Sequence, residues 1–260
     1  MAYYDYGDGD IAIAFIAFEI STISLEPSKP DMVIGIDFGT TYTGVAYAYS
    51  ENVKGDDTAK IAENVEVIKT WPHANNAFQD KTPTIIAYHT NPPAWGGSVR
   101  PRDDPQVSYF KLGLQSGIGD HYLLRSVHNP PSSLPFLDPG WKHPKLPDKT
   151  ALDFAADYLT CVHKYVMESY FPNKFGALFL SKNQQISYVI TVPAIWKDAA
   201  KDLTRKAAVR AGIPERSLEL ITEPEAAALY CATVCQEVDL TDGDCFLICD
   251  AGGGTVVITS

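Results

Sequence analysis

Alternating blocks of apolar and polar residues divide most of the chain into short strands and helices. Residues 32–37 form an apolar run, and a glycine and two threonines separate it from a second apolar segment that ends at Tyr49. This pattern predicts two strands joined by a turn. Further apolar runs predict strands at 64–69, 83–88, 186–193, 218–222, 245–250 and 255–260. Their alternation with helical segments predicts an α/β fold.

The predicted helix ends depend on residues with known positional preferences. Thr150 is a suitable N-cap for a helix whose apolar residues recur at helical spacing as far as Tyr170. A second helix is predicted over 195–211, with Gly212 as its C-terminal stop. Pro224 is placed for the first turn of a third helix.

Residues 89–149 show no regular pattern, and 128–148 are rich in proline. We interpret the proline-rich stretch as a long surface loop of an inserted subdomain, with a polyproline docking ligand as the alternative. Near the N-terminus, the apolar run 11–20 is too short to span a bilayer, and it follows aspartates rather than the positive charges of a secretory signal. We expect residues 1–30 to be an extra strand, a loose arm or a non-native extension, with no membrane partner.

The composition restricts the classes of ligand. A formal net charge of −11 argues against a nucleic-acid partner, because such proteins need a cationic surface. A phosphate site would have to be local, built from backbone amides, hydroxyls and a metal. Five cysteines, an odd number, predict a reducing, cytoplasmic location. Four of them form two C-x3-C pairs, which we interpret as buried apolar residues rather than zinc ligands: Cys231, Cys235, Cys245 and Cys249.

Two segments far apart in the chain, 33–41 and 246–255, are similar to each other. Each has a strand that ends in an aspartate, followed by one residue, a glycine and then small or hydroxylated residues. A second apolar segment follows in both cases, so both are predicted hairpins. Glycine lets backbone N–H groups approach a ligand, and successive amides in such a turn form a concave anion site. For one hairpin alone, a tight turn that needs glycine for its geometry is the better interpretation, whereas the pair together favours phosphate binding.

The two aspartates at the strand tips point to a metal as well as a phosphate. Asp37 and Asp250 would repel a phosphate unless Mg²⁺ and its waters lay between them. Thr40, Thr41 and Thr255 would add hydroxyl donors. The chain has no G-x4-G-K-[ST] loop, and neither glycine turn leads into a helix, which excludes the P-loop and dinucleotide fingerprints. We therefore expect two facing hairpins to bind a polyphosphate from both sides.

Four motifs together resemble a known family. The segment G-I-D-F-G-T-T-Y-T-G at 35–44 resembles the first phosphate motif of the actin-like ATPase superfamily, in the form found in the 70-kDa heat-shock chaperones. V-I-T-V-P-A at 189–194 resembles the strand and turn that join the two chaperone lobes. T-E-P-E-A-A-A at 222–228 resembles the family's N-E-P-x-A-A-A segment, and residues 250–255 resemble its second phosphate motif. The sequences T-E-P-E-A-A-A-L-Y-C at 222–231 and C-D-A-G-G-G-T at 249–255 are most similar to the divergent member-twelve-like branch of the family.

The resemblance implies a fold and a domain plan. It implies an actin-like, ribonuclease H-like ATPase lobe with a mixed sheet flanked by helices and an inserted α+β subdomain. The first lobe would cover 31–240, with the inserted subdomain at about 67–149, and residues 241–260 would begin a truncated second lobe. Residues 1–30 would lie outside the matched region.

The resemblance also implies ATP or ADP and Mg²⁺ as cofactors. The residues that would contact the phosphates are Gly39, Thr40, Thr41, Tyr42, Gly252, Gly253, Gly254 and Thr255. Asp37 and Asp250 would hold the waters of Mg²⁺. Lys111, Glu223 and Asp250 are the catalytic candidates, since the lysine would reach the γ-phosphate and Glu223 would orient or activate the attacking water. From the residues alone, Glu223 could instead cap a helix, and Lys111 could be a solvated lysine.

Two departures from the family pattern weaken the expected activity. Val257 stands where the family commonly has an aspartate, which would slow hydrolysis while leaving binding intact. The chain reaches only one strand into the second lobe, which predicts weak nucleotide affinity and little turnover.

Three functions remain open at this point. The first is the ATPase lobe of a heat-shock-type chaperone, whose full-length form would have co-chaperones or client proteins as partners. The second is a non-catalytic nucleotide-binding or scaffold module, which Val257 favours. The third is a small-molecule kinase of the same superfamily, which is disfavoured because such kinases lack the E-P-x-A-A-A segment that contains Glu223.

Overall fold

The computed structural model describes residues 30–49, 65–72, 79–103, 105–115, 145–146, 148–177, 179, 184–234, 248–251 and 256–259. From Tyr230 onward it describes the backbone alone. The interpretations of residues 1–29, of most of the proline-rich stretch and of the two cysteine pairs fall outside the described side chains. Within the described part, no helix combines the length and the apolarity needed to cross a membrane.

The described residues form eleven strands and four α-helices. The strands are β1 (Met32–Phe38), β2 (Tyr42–Tyr49), β3 (Glu66–Val67), β4 (Lys81–Pro83), β5 (Ile85–Ala87), β6 (Ala94–Trp95), β7 (Gln106–Ser108), β8 (Ile186–Val192), β9 (Leu218–Thr222), β10 (Ile248–Ala251) and β11 (Val256–Thr259). The α-helices are α1 (Ala151–Lys164), α2 (Phe171–Phe175), α3 (Asp198–Arg210) and α4 (Glu223–Val234). A π-helical segment (Tyr165–Tyr170) joins α1 to α2, and short 3₁₀ helices cover Gly96–Ser98, Phe110–Leu114 and Glu215–Ser217.

Strand β1 lies inside the main sheet, as its seven buried residues require. It pairs antiparallel with β2 on one side and parallel with β8 on the other, and β9 continues the sheet parallel to β8. Strands β3 and β4 both pair with β2, at different points along it. The sheet order is β3-β2-β1-β8-β9, so the predicted α/β class with a mixed sheet is confirmed. The carboxyl ends of the parallel strands β1, β8 and β9 meet at one edge.

Residues 83–88 differ from the predicted single strand. Pro83 ends β4 in the main sheet, and Ile85–Ala87 forms β5 in a separate three-stranded sheet of order β6-β5-β7. Proline has no N–H to continue the pairing. The next amide, that of Thr84, donates to the Thr41 carbonyl at 2.7 Å and holds the chain where it changes sheets. The prediction at 64–69 is also shortened, to Glu66–Val67.

The predicted N-cap of α1 is confirmed. The Thr150 hydroxyl accepts from the Asp153 amide at 3.3 Å, and the Asp153 carboxylate accepts from the Thr150 amide at 2.8 Å. This reciprocal pair satisfies two backbone donors that have no partner within the helix. The helical segment then runs without a break through the π-helical residues to Phe175, beyond the predicted end at Tyr170.

Helix α1 packs against the main sheet through aromatic side chains. Tyr158 is fully buried, its ring stacks 6.3 Å from that of Phe38, and its hydroxyl donates to the Pro83 carbonyl at 3.0 Å. Burial raises the pKa of Tyr158, so the hydroxyl stays protonated and remains a donor. At the other end of the helical segment, the ring of Phe171 contacts Tyr47 edge to face at 5.1 Å. The helical segment from α1 to α2 therefore packs against β1, β2 and β4 together.

Helices α3 and α4 follow β8 and β9 and complete the layer around the sheet. Gly212, with φ of 94°, ends the segment after α3 as predicted, because a left-handed backbone conformation favours glycine. Helix α4 begins at Glu223 with Pro224 in its first turn, as expected from the sequence. These connections place the start of α4 at the carboxyl edge of the sheet.

Candidate functional site

A row of residues crosses four strands at the carboxyl end of β1. Asp37 is directly opposite Gly44 of β2, and Gly44 is directly opposite Lys81 of β4. Residues paired in this way share one face of the sheet. On the other side, the Thr191 hydroxyl of β8 donates to Asp37 Oδ1 at 2.9 Å. The row therefore brings a carboxylate, a lysine and a threonine to one place.

Asp37 is buried and bound on both sides. Lys81 Nζ lies 2.8 Å from its second oxygen, Oδ2, and the pair is almost enclosed. A buried carboxylate needs such partners, because an unpaired charge loses its hydration. Gly44 eases this contact: a Cβ there would lie 3.2 Å from Lys81 Cγ, so the lysine side chain would have to shift slightly to make room for it. The missing side chain leaves room for the lysine to cross β2.

The glycine turn between β1 and β2 begins two residues after Asp37. A Cβ added to Gly39 would lie 2.1 Å from the Tyr42 carbonyl oxygen, so the turn is too tight for any other residue. Thr40 and Thr41 are half-buried, whereas the Tyr42 side chain is exposed. The predicted phosphate-contacting residues of the first hairpin thus lie in one tight turn beside Asp37.

The second hairpin repeats the backbone register of the first. Asp250 of β10 is opposite Val257 of β11, just as Asp37 is opposite Gly44, and the last pairs, Ala251 with Val256 and Phe38 with Thr43, are separated by turns of equal length. The two hairpins predicted from the sequence are therefore present with matching pairing. The residues Gly252, Gly253, Gly254 and Thr255 lie outside the described part, and the side chain of Asp250 is not described.

Lys111 and Glu223 form a second, buried ion pair. Lys111 Nζ lies 2.7 Å from Glu223 Oε1, and Lys111 is only 1% exposed. The ammonium group also lies 5.7 Å from the ring centroid of Phe38 and 5.5 Å from that of Trp196, within cation–π range. The alternative that Lys111 is a solvated lysine is therefore wrong. Because Phe38 follows Asp37, this pair also lies by the carboxyl end of β1.

Glu223 does not cap helix α4. Thr222 and Glu225 take that role: the Glu225 amide donates to the Thr222 hydroxyl at 3.3 Å, and the Thr222 amide donates to Glu225 Oε2 at 3.0 Å. Glu225 is exposed, whereas Glu223 is buried and directed to Lys111. The capping interpretation of Glu223 is therefore wrong.

The residues present are compatible with a phosphate and a magnesium ion. The Gly39 turn is tight, since its amide donates to the Asp37 carbonyl at 3.1 Å, and the half-buried Thr40 and Thr41 beside it carry amide and hydroxyl donors suited to a phosphate. Asp37 keeps free lone pairs for a metal-bound water, because each carboxylate oxygen accepts about two hydrogen bonds. In the described part of the chain no cluster of three or more His, Cys, Asp or Glu side chains forms a direct metal site. A water-mediated ion suits this arrangement better than a directly liganded one.

Three residues of the site had no assigned role in the sequence analysis. Lys81 and Thr191 bind Asp37, and Trp196 lies against the Lys111 ammonium group. Lys81 precedes a threonine and a proline in a short polar stretch, which gives no sign of its partner. Gly44 lies within the second predicted strand, seven positions after Asp37. A glycine there is the sequence feature that could have indicated that a side chain from a neighbouring strand crosses β2.

The comparisons with known proteins agree with the motifs. Heat shock 70 kDa protein 12A of Homo sapiens is 30% identical over 210 residues, which cover 77% of this chain and 28% of that protein. Heat shock 70 kDa protein 12B of Homo sapiens is 26% identical over 224 residues, 77% of this chain and 28% of the relative. The mitochondrial heat shock 70-related protein 1 of Leishmania major is 24% identical over 241 residues, 87% of this chain and 31% of the relative. No protein-family model matches the chain.

Fold and relatives together define the class. The mixed sheet with flanking helices is compatible with an actin-like ATPase lobe, the fold that the motifs imply. The chain belongs to a divergent branch of the 70-kDa heat-shock protein family. It spans less than a third of the length of the relatives it matches.

Proposed function

We propose that this chain forms the first, phosphate-binding lobe of an ATP-hydrolysing domain of the heat-shock 70 type. The observation that carries the proposal is the buried pair of Lys111 and Glu223, residues 112 positions apart in the chain. These are the two residues that the family resemblance associates with the γ-phosphate and the attacking water. Their contact, with the Lys111 ammonium group 5.7 Å from the ring centroid of Phe38, supports a common site at the carboxyl end of β1.

The proposed roles follow from the chemistry of each group. The turn residues Gly39, Thr40, Thr41 and Tyr42 would donate to the β- and γ-phosphates, together with residues 252–255 of the second hairpin. Asp37 and Asp250 would hold the waters of Mg²⁺, which when bound would neutralise phosphate charge. Lys111 would bind the γ-phosphate, and Glu223 would then be free to accept a proton from water. Phosphoryl transfer to water needs chiefly this positioning and charge neutralisation.

We also propose the domain plan and the setting. The first lobe would cover 31–240 in a ribonuclease H-like arrangement, with the inserted subdomain at about 67–149 and a second lobe beginning at about 241. A cytoplasmic location is supported by the odd number of cysteines and by Cys161, a free thiol whose pKa burial raises to about 11. Co-chaperones and client proteins would be partners of a longer form, since the chain spans 28% of the human 12A relative.

A non-catalytic nucleotide-binding module is the second candidate. It is favoured by Val257, an apolar residue directly opposite Asp250 that occupies the position where the family commonly has an aspartate. With one carboxylate fewer, organisation of Mg²⁺ would be weaker, so that binding would persist while hydrolysis slowed.

Binding and hydrolysis measured separately will distinguish the two candidates. We expect the wild-type chain to bind ATP–Mg²⁺ weakly, with broadened ³¹P resonances, and to hydrolyse it slowly in single-turnover assays. Glu223→Gln should keep binding and lower hydrolysis by about a hundredfold, the lower end of general acid–base contributions. Glu225→Gln, an exposed carboxylate in the same helical turn, is the matched control and should leave both unchanged.

Each alternative result has a definite meaning. ATP binding without any turnover in the wild type would support the non-catalytic module. Equal hydrolysis by Glu223→Gln and wild type would contradict the role of Glu223. A folded wild type whose ³¹P spectrum does not respond to the protein would contradict the nucleotide site altogether.

A further inference from the structure

We propose that Lys81 is a further phosphate-binding residue, which neutralises Asp37 in the ligand-free protein and moves its ammonium group to a polyphosphate chain when one binds. The inference rests on the proposed function and deepens it, because it concerns the ligand form that the site accepts. A built-in cation beside the glycine turn would let the site bind a polyphosphate that carries no metal ion.

The geometry sets Lys81 apart from an ordinary surface lysine. Its side chain is 12% exposed and that of Asp37 is 8% exposed, with 2.8 Å between Nζ and Oδ2. The neighbouring pair of Lys69 and Asp80, at 3.0 Å, has side chains that are 54% and 39% exposed. Exposed pairs of this second kind contribute little, because water screens them. The enclosed pair is therefore a specific feature of the site.

Strand β4 holds Lys81 beside the phosphate turn. Pro83 is opposite Tyr42, and the Thr84 amide donates to the Thr41 carbonyl at 2.7 Å, so β4 is tied to the turn at two points. Lys81 is two residues before Pro83, opposite Gly44. A lysine has a flexible four-carbon stem with three donors on its ammonium group, so it can exchange one anionic partner for another nearby.

The charges explain why such a residue is needed. The carboxylate of Asp37 lies two residues before Gly39 and would repel a phosphate that approaches the turn. Lys81 neutralises this carboxylate at contact distance. In the second hairpin the position opposite Asp250 is Val257 rather than glycine. In the first hairpin, Gly44 gives Lys81 room to reach Asp37 across β2.

The test compares metal-free and magnesium-loaded ligands in ³¹P titrations of the 260-residue chain. ATP and inorganic tripolyphosphate are each titrated with excess EDTA and with excess Mg²⁺. We expect Lys81→Met to weaken metal-free binding of both ligands at least tenfold more than magnesium-loaded binding, whereas Lys81→Arg stays close to wild type. Lys69→Met removes an equivalent charge from an exposed pair and should match the wild type in every arm.

Several outcomes would overturn the proposal. Equal weakening of metal-free and magnesium-loaded binding by Lys81→Met, or no weakening, would show that Lys81 only supports the fold. An effect seen with ATP and absent with tripolyphosphate would contradict recognition of the phosphate chain. If Lys81→Met fails to fold by circular dichroism, Lys81→Gln, which keeps a donor to Asp37 without the charge, should show the same selective loss. A folded wild type that binds neither ligand would contradict the proposed function itself, whereas binding that is insensitive to Lys81 would contradict this inference alone.

Discussion

At the scale of single residues, Lys111 and Glu223 are two charged side chains that are both buried and in contact with each other. Both groups have lost most of their water, and the rings of Phe38 and Trp196 only partly replace it for the ammonium group. A buried ion pair adds little net stability, but removal of one partner leaves the other charge uncompensated. The pair is therefore better explained by the positions it fixes than by the stability it adds.

We expect Lys111→Met and Glu223→Leu each to lower the free energy of unfolding by about 3 kcal/mol, whereas the double variant should lose much less than the sum. Urea unfolding followed by far-ultraviolet circular dichroism measures all three variants. Lys206→Met, which breaks an exposed pair with Asp202, is the control and should change stability by less than about 0.5 kcal/mol. Losses that simply add in the double variant would show that the two side chains are not coupled.

The residues of the site were predictable to different degrees. Asp37, Gly39 and the threonines could be recognised because their chemistry is contained in one local turn. Lys111 and Glu223 could be assigned only through the family motifs, and their contact could not be inferred from spacing. Lys81 had no local signal, because its position beside Asp37 depends on two strand pairings and on the missing side chain of Gly44.

At the scale of elements, helix α1 shows what a local signal can determine. Its start was predictable because Thr150 and Asp153 lie three residues apart and satisfy each other's backbone donors. Its continuation through a π-helical segment was not, since this wider turn accompanies tertiary contacts such as that of Tyr165 with Thr70. In the same way, nothing local to residues 83–88 indicates that they divide between two sheets.

Loss of the N-cap of α1 should be measurable in the free energy of unfolding of the chain. Thr150→Ala removes the hydroxyl that accepts from the Asp153 amide, and we expect it to lower the free energy of unfolding by about 1 kcal/mol. Thr160→Ala is the matched control on the same helix, because its hydroxyl only donates back to the Ala156 carbonyl and should matter less. Urea midpoints at constant m-value give the comparison, and equal losses in the two variants would contradict a capping role.

At the scale of the whole molecule, His163 of α1 connects that helix to Ala211, just after α3, and to Tyr188 of β8. Each of its two ring nitrogens makes one of these hydrogen bonds. Its Nδ1 lies 3.2 Å from the Ala211 carbonyl, which can only accept, so Nδ1 carries the proton. Its Nε2, 3.1 Å from the Tyr188 hydroxyl, is then an acceptor in the neutral ring. Burial lowers the pKa of His163, although the Ala211 carbonyl and the nearby Glu168 oppose the shift. A proton on Nε2 would also force the Tyr188 hydroxyl to stop donating to it.

This arrangement predicts a loss of stability in mild acid. Because the folded pKa is below the unfolded value of about 6.5, the unfolded chain takes up the proton first as the pH falls. The contribution of His163 is therefore complete above about pH 7.5, and it decreases as the pH falls through 6.5 until the folded pKa is reached. Urea unfolding of the wild type and of His163→Gln from pH 8 to pH 5 isolates this contribution, since the difference between their free energies of unfolding should shrink as the pH falls. A difference that is constant or grows towards acid would contradict the lowered pKa.

The contacts of the site have a consequence for how the chain could be divided. Lys111 with Glu223, and Asp37 with Thr191, each join a residue before position 116 to one after position 144. The pairing of β1 with β8 does the same. Two separately synthesised fragments that meet between these positions would therefore each hold half of these contacts, whereas the pair of Asp37 and Lys81 would stay within the first fragment. Reconstitution of the pair of Lys111 and Glu223 would then report directly on fragment complementation, which makes this chain a natural candidate for a split-protein design.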